Sequence, residues 1–201
     1  ADEAGNLYAV ATFGNVSSAP LEMPLKDGSS TSLAVTNNWG EDYLLVKFNK
    51  DGEILWATGI GSKFRENGTP DVTVGEDGNP VICGVFNAAN GNLTNESEEK
   101  REFYIGEQKY LLYPEQSKES ALVKLNSTDG SVMWSRYFTG TGNQEVLKVQ
   151  AVSGSNAVAV TGKANNQIIV EGSAGLSTET VTHVPGADHL FAVSYTHLRA
   201  H

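Results

Sequence analysis

The sequence predicts an all-β protein built from a repeated four-stranded antiparallel unit. Three observations carry this. Ala121–Gly140 reads as strand, tight turn, strand, and the same pattern stands earlier at Leu44–Gly61. The apolar runs are short, rich in β-branched and aromatic residues, and bounded by Gly, Asn and Asp, which suits strands better than helices. The 21 glycines are spaced at regular turns instead of clustered.

The repeated hairpin matches position by position. Val46-Lys47-Phe48-Asn49 corresponds to Val123-Lys124-Leu125-Asn126, Asp51-Gly52 to Asp129-Gly130, and Trp56 to Trp134. Asp-Gly is a favoured tight turn because glycine accepts positive φ. The strand before the hairpin recurs as well. Asn6, Asn79 and Asn156 each end a polar turn and lead into the apolar runs Leu7–Phe13, Val81–Phe86 and Ala157–Gly162. A further short strand precedes that turn, at Asp71–Val74 and again at Lys148–Val152. One unit therefore has strands a (Val72–Val74), b (Val81–Phe86), c (Leu122–Leu125) and d (Val132–Phe138), and it repeats every 70–77 residues or so. Strand b is apolar at nearly every position in all three copies, as expected of a strand covered on both faces. Repeated four-stranded units that cannot bury both faces alone are the signature of a β-propeller. About two and a half blades are expected: residues 1–65 with the first strand truncated, 66–142, and a partial third at 143–192.

The run Gly5-Asn6-x-Tyr8, continuing to Phe13, is followed by Asp42-x-Leu44-x-Val46-Lys47-x-Asn49-x-Asp51-Gly52-x-x-x-Trp56. This pattern resembles the bacterial β-propeller repeat called SBBP. Less closely, it is similar to the repeats of quinoprotein-like propellers, whose units end in Gly-x-x-x-Trp. The resemblance covers residues 1–192 and implies a propeller fold. It leaves function open, since such propellers serve as scaffolds, binding modules and appendages to enzymes.

The b-to-c connections, at about residues 14–41, 87–119 and 163–187, are longer than ordinary loops. Arg101–Leu112 reads as two short strands around Gly106-Glu107, and Gln167–Gly172 is a weaker third-copy match. In a propeller all such connections emerge on one face, which makes that face the expected interaction surface. Trp39 in the first connection and Tyr104, Tyr110 and Tyr113 in the second offer flat aromatic faces beside polar side chains. These suit a carbohydrate, and equally the small core of an added hairpin.

The remaining motifs favour structure over chemistry. Trp56 and Trp134 read as packing near the outer rim of each blade. The Asp-Gly pairs lack the alternating acids and distal Glu of a calcium loop. Gly59–Lys63 lacks phosphate-loop spacing, and no G-x-S-x-G or H-E-x-x-H occurs. His183 and His189 have no Cys or further His beside them, and no metal or other cofactor is expected. Cys83, the single cysteine, allows no intrachain disulfide and reads as a buried, inert thiol.

The formal charge of -10, with no Lys/Arg cluster, argues against a nucleic-acid surface. No apolar run approaches the ~20 residues of a membrane span. Val193–His201 departs from the repeat and resembles a translated sequencing adapter; it is expected to be foreign to the protein. The sequence thus points to a non-catalytic binding or scaffold propeller of a bacterial secreted or cell-surface protein, with the periplasm as the alternative location. Its expected partners are a protein or glycan on the loop face and the remaining blades of its own chain. The alternative is the propeller part of a quinoprotein-like or polysaccharide-active enzyme whose active residues lie elsewhere.

Overall fold

A computed structural model describes residues 1–14, 21–33, 41–62, 68–87, 102–106, 108–111, 118–140, 142–164, 168–172, 179–181 and 189–195. These form strands and turns, with no helix among the described residues. In chain order the strands are β1 (Leu7–Gly14), β2 (Leu21–Pro24), β3 (Ser30–Leu33), β4 (Glu41–Phe48), β5 (Ile54–Ser62), β6 (Asp71–Val74), β7 (Pro80–Asn87) and β8 (Glu102–Ile105). They continue as β9 (Gln108–Leu111), β10 (Lys118–Leu125), β11 (Val132–Thr139), β12 (Gln144–Ala151), β13 (Val158–Ala164), β14 (Ile168–Gly172), β15 (Glu179–Val181) and β16 (His189–Tyr195). β16 continues to Tyr195, three residues into the segment set apart from the repeat.

The strands form three main antiparallel sheets. The first has the order β1-β4-β5-β8-β9, the second β15-β14-β11-β10-β7-β6, and the third β12-β13-β16. The hairpin β2–β3 stands as a two-stranded sheet of its own. In the second sheet β6, β7, β10 and β11 follow one another in chain order, which is the expected a-b-c-d meander.

The repeated hairpin repeats down to its irregularity. Lys47 stands opposite Trp56 and Lys124 opposite Trp134. In both pairs the register shifts immediately after the lysine. A bulge there bends the strand into the turn. Gly52 and Gly130 take φ of 82° and 74°, the left-handed region that makes glycine the residue of choice.

The connections between strands b and c behave differently from projecting loops. β8 and β9 stand where two short strands are expected, but β8 pairs with β5 and so extends the first sheet. β14 likewise pairs with β11 and extends the second sheet. The connections of the second and third units thus add strands to the outer edge of the unit before them. The reason is physical: a strand d left at the edge exposes a row of unpaired amides and carbonyls, and a neighbouring hairpin satisfies them.

Side-chain alternation places the cores between sheets. In β10, Ala121, Val123 and Leu125 join a cluster with Tyr43, Leu45, Trp56 and Ile60 of the first sheet. Leu122 of the same strand joins Val146, Val149, Val158 and Val160 of the third sheet. The second sheet is therefore packed on both faces, and Val81, Ile82, Cys83 and Val85 of β7 are all buried. β1 and β13 are not covered in this way. β1 is largely exposed, and β13 alternates between buried and exposed positions along part of its length. Their sheets are the outer two of the three, so one face of each has no further main sheet against it among the described residues, although the hairpin β2–β3 covers part of the first sheet's. Phe103 and Ile105 of β8 add to the cluster between the first two sheets.

Candidate functional site

The polar residues that the fold brings together lie at the joints between sheets. The joint between the first and second sheets is built from strand d of one and the c–d turn of the other. The Trp56 Nε1–H donates to the carbonyl of Ser127 at 3.0 Å, and Lys47 Nζ donates to the same oxygen at 2.8 Å. The Thr58 hydroxyl donates to the Gly130 carbonyl at 3.3 Å. A Cβ at Gly130 would lie 2.8 Å from the Trp56 ring and 2.7 Å from the Thr58 oxygen. Gly130 is thus required twice, by its positive φ and by the indole lying against it. Tyr43 makes a second contact across this joint. Its hydroxyl donates to the Val85 carbonyl at 2.7 Å and accepts from the Val85 amide at 3.2 Å. The ring lies so close to Gly84 that any Cβ there would collide with it.

Lys47 and Lys124 are both buried, and each faces an acid of its own unit's a–b turn. Lys47 Nζ lies 3.6 Å from Asp2 and 5.3 Å from the centre of the Tyr8 ring. Lys124 Nζ lies 2.6 Å from Asp77. Burial pushes the Asp77 carboxyl up, but the hydrogen bonds from Lys124 and Asn79 outweigh it and hold the group below the usual carboxylate range. Asp2 follows the same balance: burial raises its pKa, and the Asn6 side chain and amide together with Lys47 bring it below the ordinary value. Tyr8 is pushed well up, first by burial and then by the neighbouring Asp2 charge.

The joint between the second and third sheets uses carboxylates and hydroxyls against backbone. Asp71 accepts from the Val149 amide at 3.0 Å and from Lys148 Nζ at 3.3 Å. Thr73 accepts from the Ala151 amide at 3.0 Å, and the Gly154 amide donates to Glu76. Ser120 donates to the Gln144 carbonyl and accepts from the Val146 amide, both at 2.8 Å. Trp134 occupies the place that Trp56 holds one unit earlier. Its Nε1 is buried and has no hydrogen-bond partner among the described residues.

Of the aromatic residues expected to bind, Tyr104 and Tyr110 fall on described strands. Trp39 lies outside the described residues, as do Tyr113 and His183. Tyr104 is half-buried on β8, between the core residues Phe103 and Ile105. Tyr110 lies on β9 opposite Phe103, whereas Tyr104 stands opposite Lys109, so the two tyrosines are not register partners. Cys83 is buried in β7, and burial, followed by the Asp71 charge, pushes its thiol up to about 12. That is far from the depressed value of a reactive thiol. The small gap beside Cys83, between Tyr43, Ile60, Ile82 and Val123, has no space for a water molecule.

No family model matches the chain, and comparison with curated proteins yields no match. Among the described residues no helix is long and apolar enough to cross a membrane.

Sequence reasoning identified the matched Trp, Lys and Asp-Gly positions but not what they touch. The signal was present in Lys47 and Lys124. A charged residue at the same place in two otherwise apolar strands needs a buried partner. Ser127 carried no signal, because only its backbone oxygen is used.

Proposed function

We infer that the chain is a β-propeller-type repeat segment of the SBBP kind, serving as a non-catalytic binding or scaffold module of a bacterial secreted or cell-surface protein. The supporting observation is how the chain spends its polar residues. Lys47, Lys124, Asp2, Asp71 and Asp77 are taken up by contacts within and between sheets. The sequence length that varies between units falls in the b–c connections instead. A scaffold with internally satisfied joints and elaborated connections suits recognition of an external protein or glycan, with Trp39, Tyr104 and Tyr110 as the candidate contacts.

The test is a glycan array probed with the chain, repeated with Trp39→Ala and Tyr104→Ala. The expected result is retention of a restricted glycan set, weakened about tenfold or more by at least one substitution, corresponding to about 1.4 kcal/mol. The melting temperature of that variant should stay unchanged. Equal binding by parent and variants would remove these residues from the reading. Failure to retain any glycan, together with no capture by purified bacterial surface proteins, would leave only the scaffold role.

A further inference from the structure

The described turns hold the pairs Asp27-Gly28, Asp51-Gly52, Asp77-Gly78 and Asp129-Gly130. In each, the glycine takes positive φ and its amide donates to a carbonyl one turn back, that of Leu25, Asn49, Gly75 or Asn126, at 2.9–3.0 Å. The pairs differ in what holds the carboxylate. Asp27 accepts from the Ser29 amide at 2.9 Å and from the Ser29 hydroxyl at 2.5 Å. Asp129 accepts from the Ser131 amide at 2.9 Å and from its hydroxyl at 2.7 Å. Asp77 accepts from the Asn79 amide at 3.2 Å and from Lys124 at 2.6 Å. The exposed Asp51 carboxylate takes no such bond among the described residues. The amide that could supply it, that of Glu53, donates to Asn49 Oδ1 at 2.9 Å instead.

Turn length sets this difference. Asn49 and Asn126 share a repeat position, but the aspartate stands two residues after Asn49 and three after Asn126. An asparagine side chain in a turn reaches the amide two residues on. Asn126 Oδ1 therefore accepts from Thr128 at 2.9 Å, and the Ser131 amide is left to Asp129. In the shorter turn Asn49 Oδ1 takes the amides of both Asp51, at 3.0 Å, and Glu53.

We propose that Asp51 is a site of spontaneous isomerisation to isoaspartate, and that it converts before the other three aspartates. The Gly52 nitrogen bonds to Cγ of the protonated Asp51 side chain. The C–OH bond breaks, and the hydroxyl leaves as water with the amide proton. The cyclic succinimide then takes up water again. Opening at Cγ restores aspartate, and opening at the main-chain carbonyl routes the chain through the side chain. Only water is lost and regained, with no oxidant or reductant. Glycine has no side chain to obstruct the approach, and nothing lies within 4 Å of a Cβ position at Gly52. Gly28 and Gly78 are equally open, so access alone does not select Asp51. The step needs a neutral acid that is free to turn toward its own following amide. Hydrogen bonds to the other three carboxylates oppose it by fixing the group and favouring its charged form. At Asp27 and Asp129 the serine hydroxyl, and then the serine amide, hold the carboxyl below the usual carboxylate range. The product is a substrate for the class of enzyme that methylates isoaspartyl carboxylates. Its extra main-chain methylene falls inside the turn that Asn49 holds together between β4 and β5.

The test is ageing of the folded chain for weeks in warm, mildly acidic buffer, beside the same chain unfolded in urea. Isoaspartate is assigned by peptide mapping with electron-transfer fragmentation and counted by methyl transfer from labelled S-adenosylmethionine with an isoaspartyl methyltransferase. In the folded chain isoaspartate is expected to accumulate at Asp51 several-fold faster than at Asp27, Asp77 or Asp129. In urea the rates should converge, since glycine follows all four. Glu53→Ser supplies the hydroxyl that Asp27 and Asp129 have, and it should slow conversion at Asp51. Ser29→Ala removes that hydroxyl and should speed conversion at Asp27. Both changes are on exposed turns, and unchanged urea midpoints would show that the fold is kept. Folded Asp51 converting no faster than the other three overturns the proposal. So does the same ranking in urea, which would place the cause in local sequence, or a rate at Asp51 unmoved by Glu53→Ser.

Discussion

At the scale of single residues, Trp56 and Trp134 are the same residue at the same place in two units with opposite hydrogen-bond outcomes. The Trp56 N–H reaches the Ser127 carbonyl, and the Trp134 N–H is buried with no partner among the described residues. A net hydrogen bond contributes about 1 kcal/mol, while a buried donor without an acceptor carries a desolvation cost of about 1–3 kcal/mol. Phenylalanine keeps most of the ring and removes the donor. Trp56→Phe is therefore expected to lose stability by roughly 1 kcal/mol or more, because it also orphans part of the Ser127 acceptor. Trp134→Phe is expected to be neutral or slightly stabilising. Chemical denaturation of the two variants side by side checks this, and equal losses would mean that the indole N–H groups do not distinguish the two sites. Sequence alone could not have separated the two tryptophans. The acceptor is a backbone oxygen 71 residues away, and a backbone oxygen leaves no trace in residue type.

At the scale of elements, the hairpin and the a–b turn are locked to each other by a buried lysine. Lys124 on β10 reaches Asp77 in the turn between β6 and β7, and Asp77 in turn accepts from the Asn79 amide. The Asp77 carboxyl is held below its ordinary value in the folded chain. A group with a depressed folded pKa stabilises the fold above its unfolded pKa, near 3.9, and loses that contribution as pH falls through the folded value. Stability measured by urea midpoint is thus expected to fall below about pH 4, and Asp77→Asn is expected to flatten that part of the profile. Parent and variant should differ most near neutral pH and converge in acid. A variant as steeply acid-sensitive as the parent would assign the acid response to other carboxylates, Asp2 among them. The strands of these elements were legible in the sequence because turn chemistry is local: Asp-Gly needs positive φ wherever it stands. The seat of β8–β9 was not legible. Its two strands follow from Arg101–Leu112, but its partner β5 is chosen by an open edge that forms only once the first sheet exists.

At the scale of the whole molecule, the three sheets differ in how many faces they bury, and this sets an order of local stability. The second sheet packs against the first through Ile82, Ala121, Val123 and Tyr137 and against the third through Val81, Cys83, Leu122 and Phe138. Its central strands β7 and β10 also have hydrogen-bonded neighbours on both sides. The first sheet has one face against this stack and the other only partly covered, and β1 lies at its edge. Burying one Val, Leu or Ile side chain contributes about 1.5–3 kcal/mol, so a strand covered on both faces opens far less often than one covered on a single face. Native-state hydrogen exchange is therefore expected to rank the strand amides of β7 and β10 slowest, those of β4 and β11 next, and those of β1 fastest. The argument depends on the joints transmitting stability only between neighbours, as in other stacked repeats, where each unit's stability is a sum of its own and its interface contributions. Weakening the first joint with Tyr43→Phe, which removes the bridge to both backbone groups of Val85, should then speed exchange throughout β4 and β5. It should leave β12 and β13 nearly unchanged. Uniform acceleration across all three sheets would show instead that the stack opens as one cooperative body, and the ranking by buried faces would fail with it.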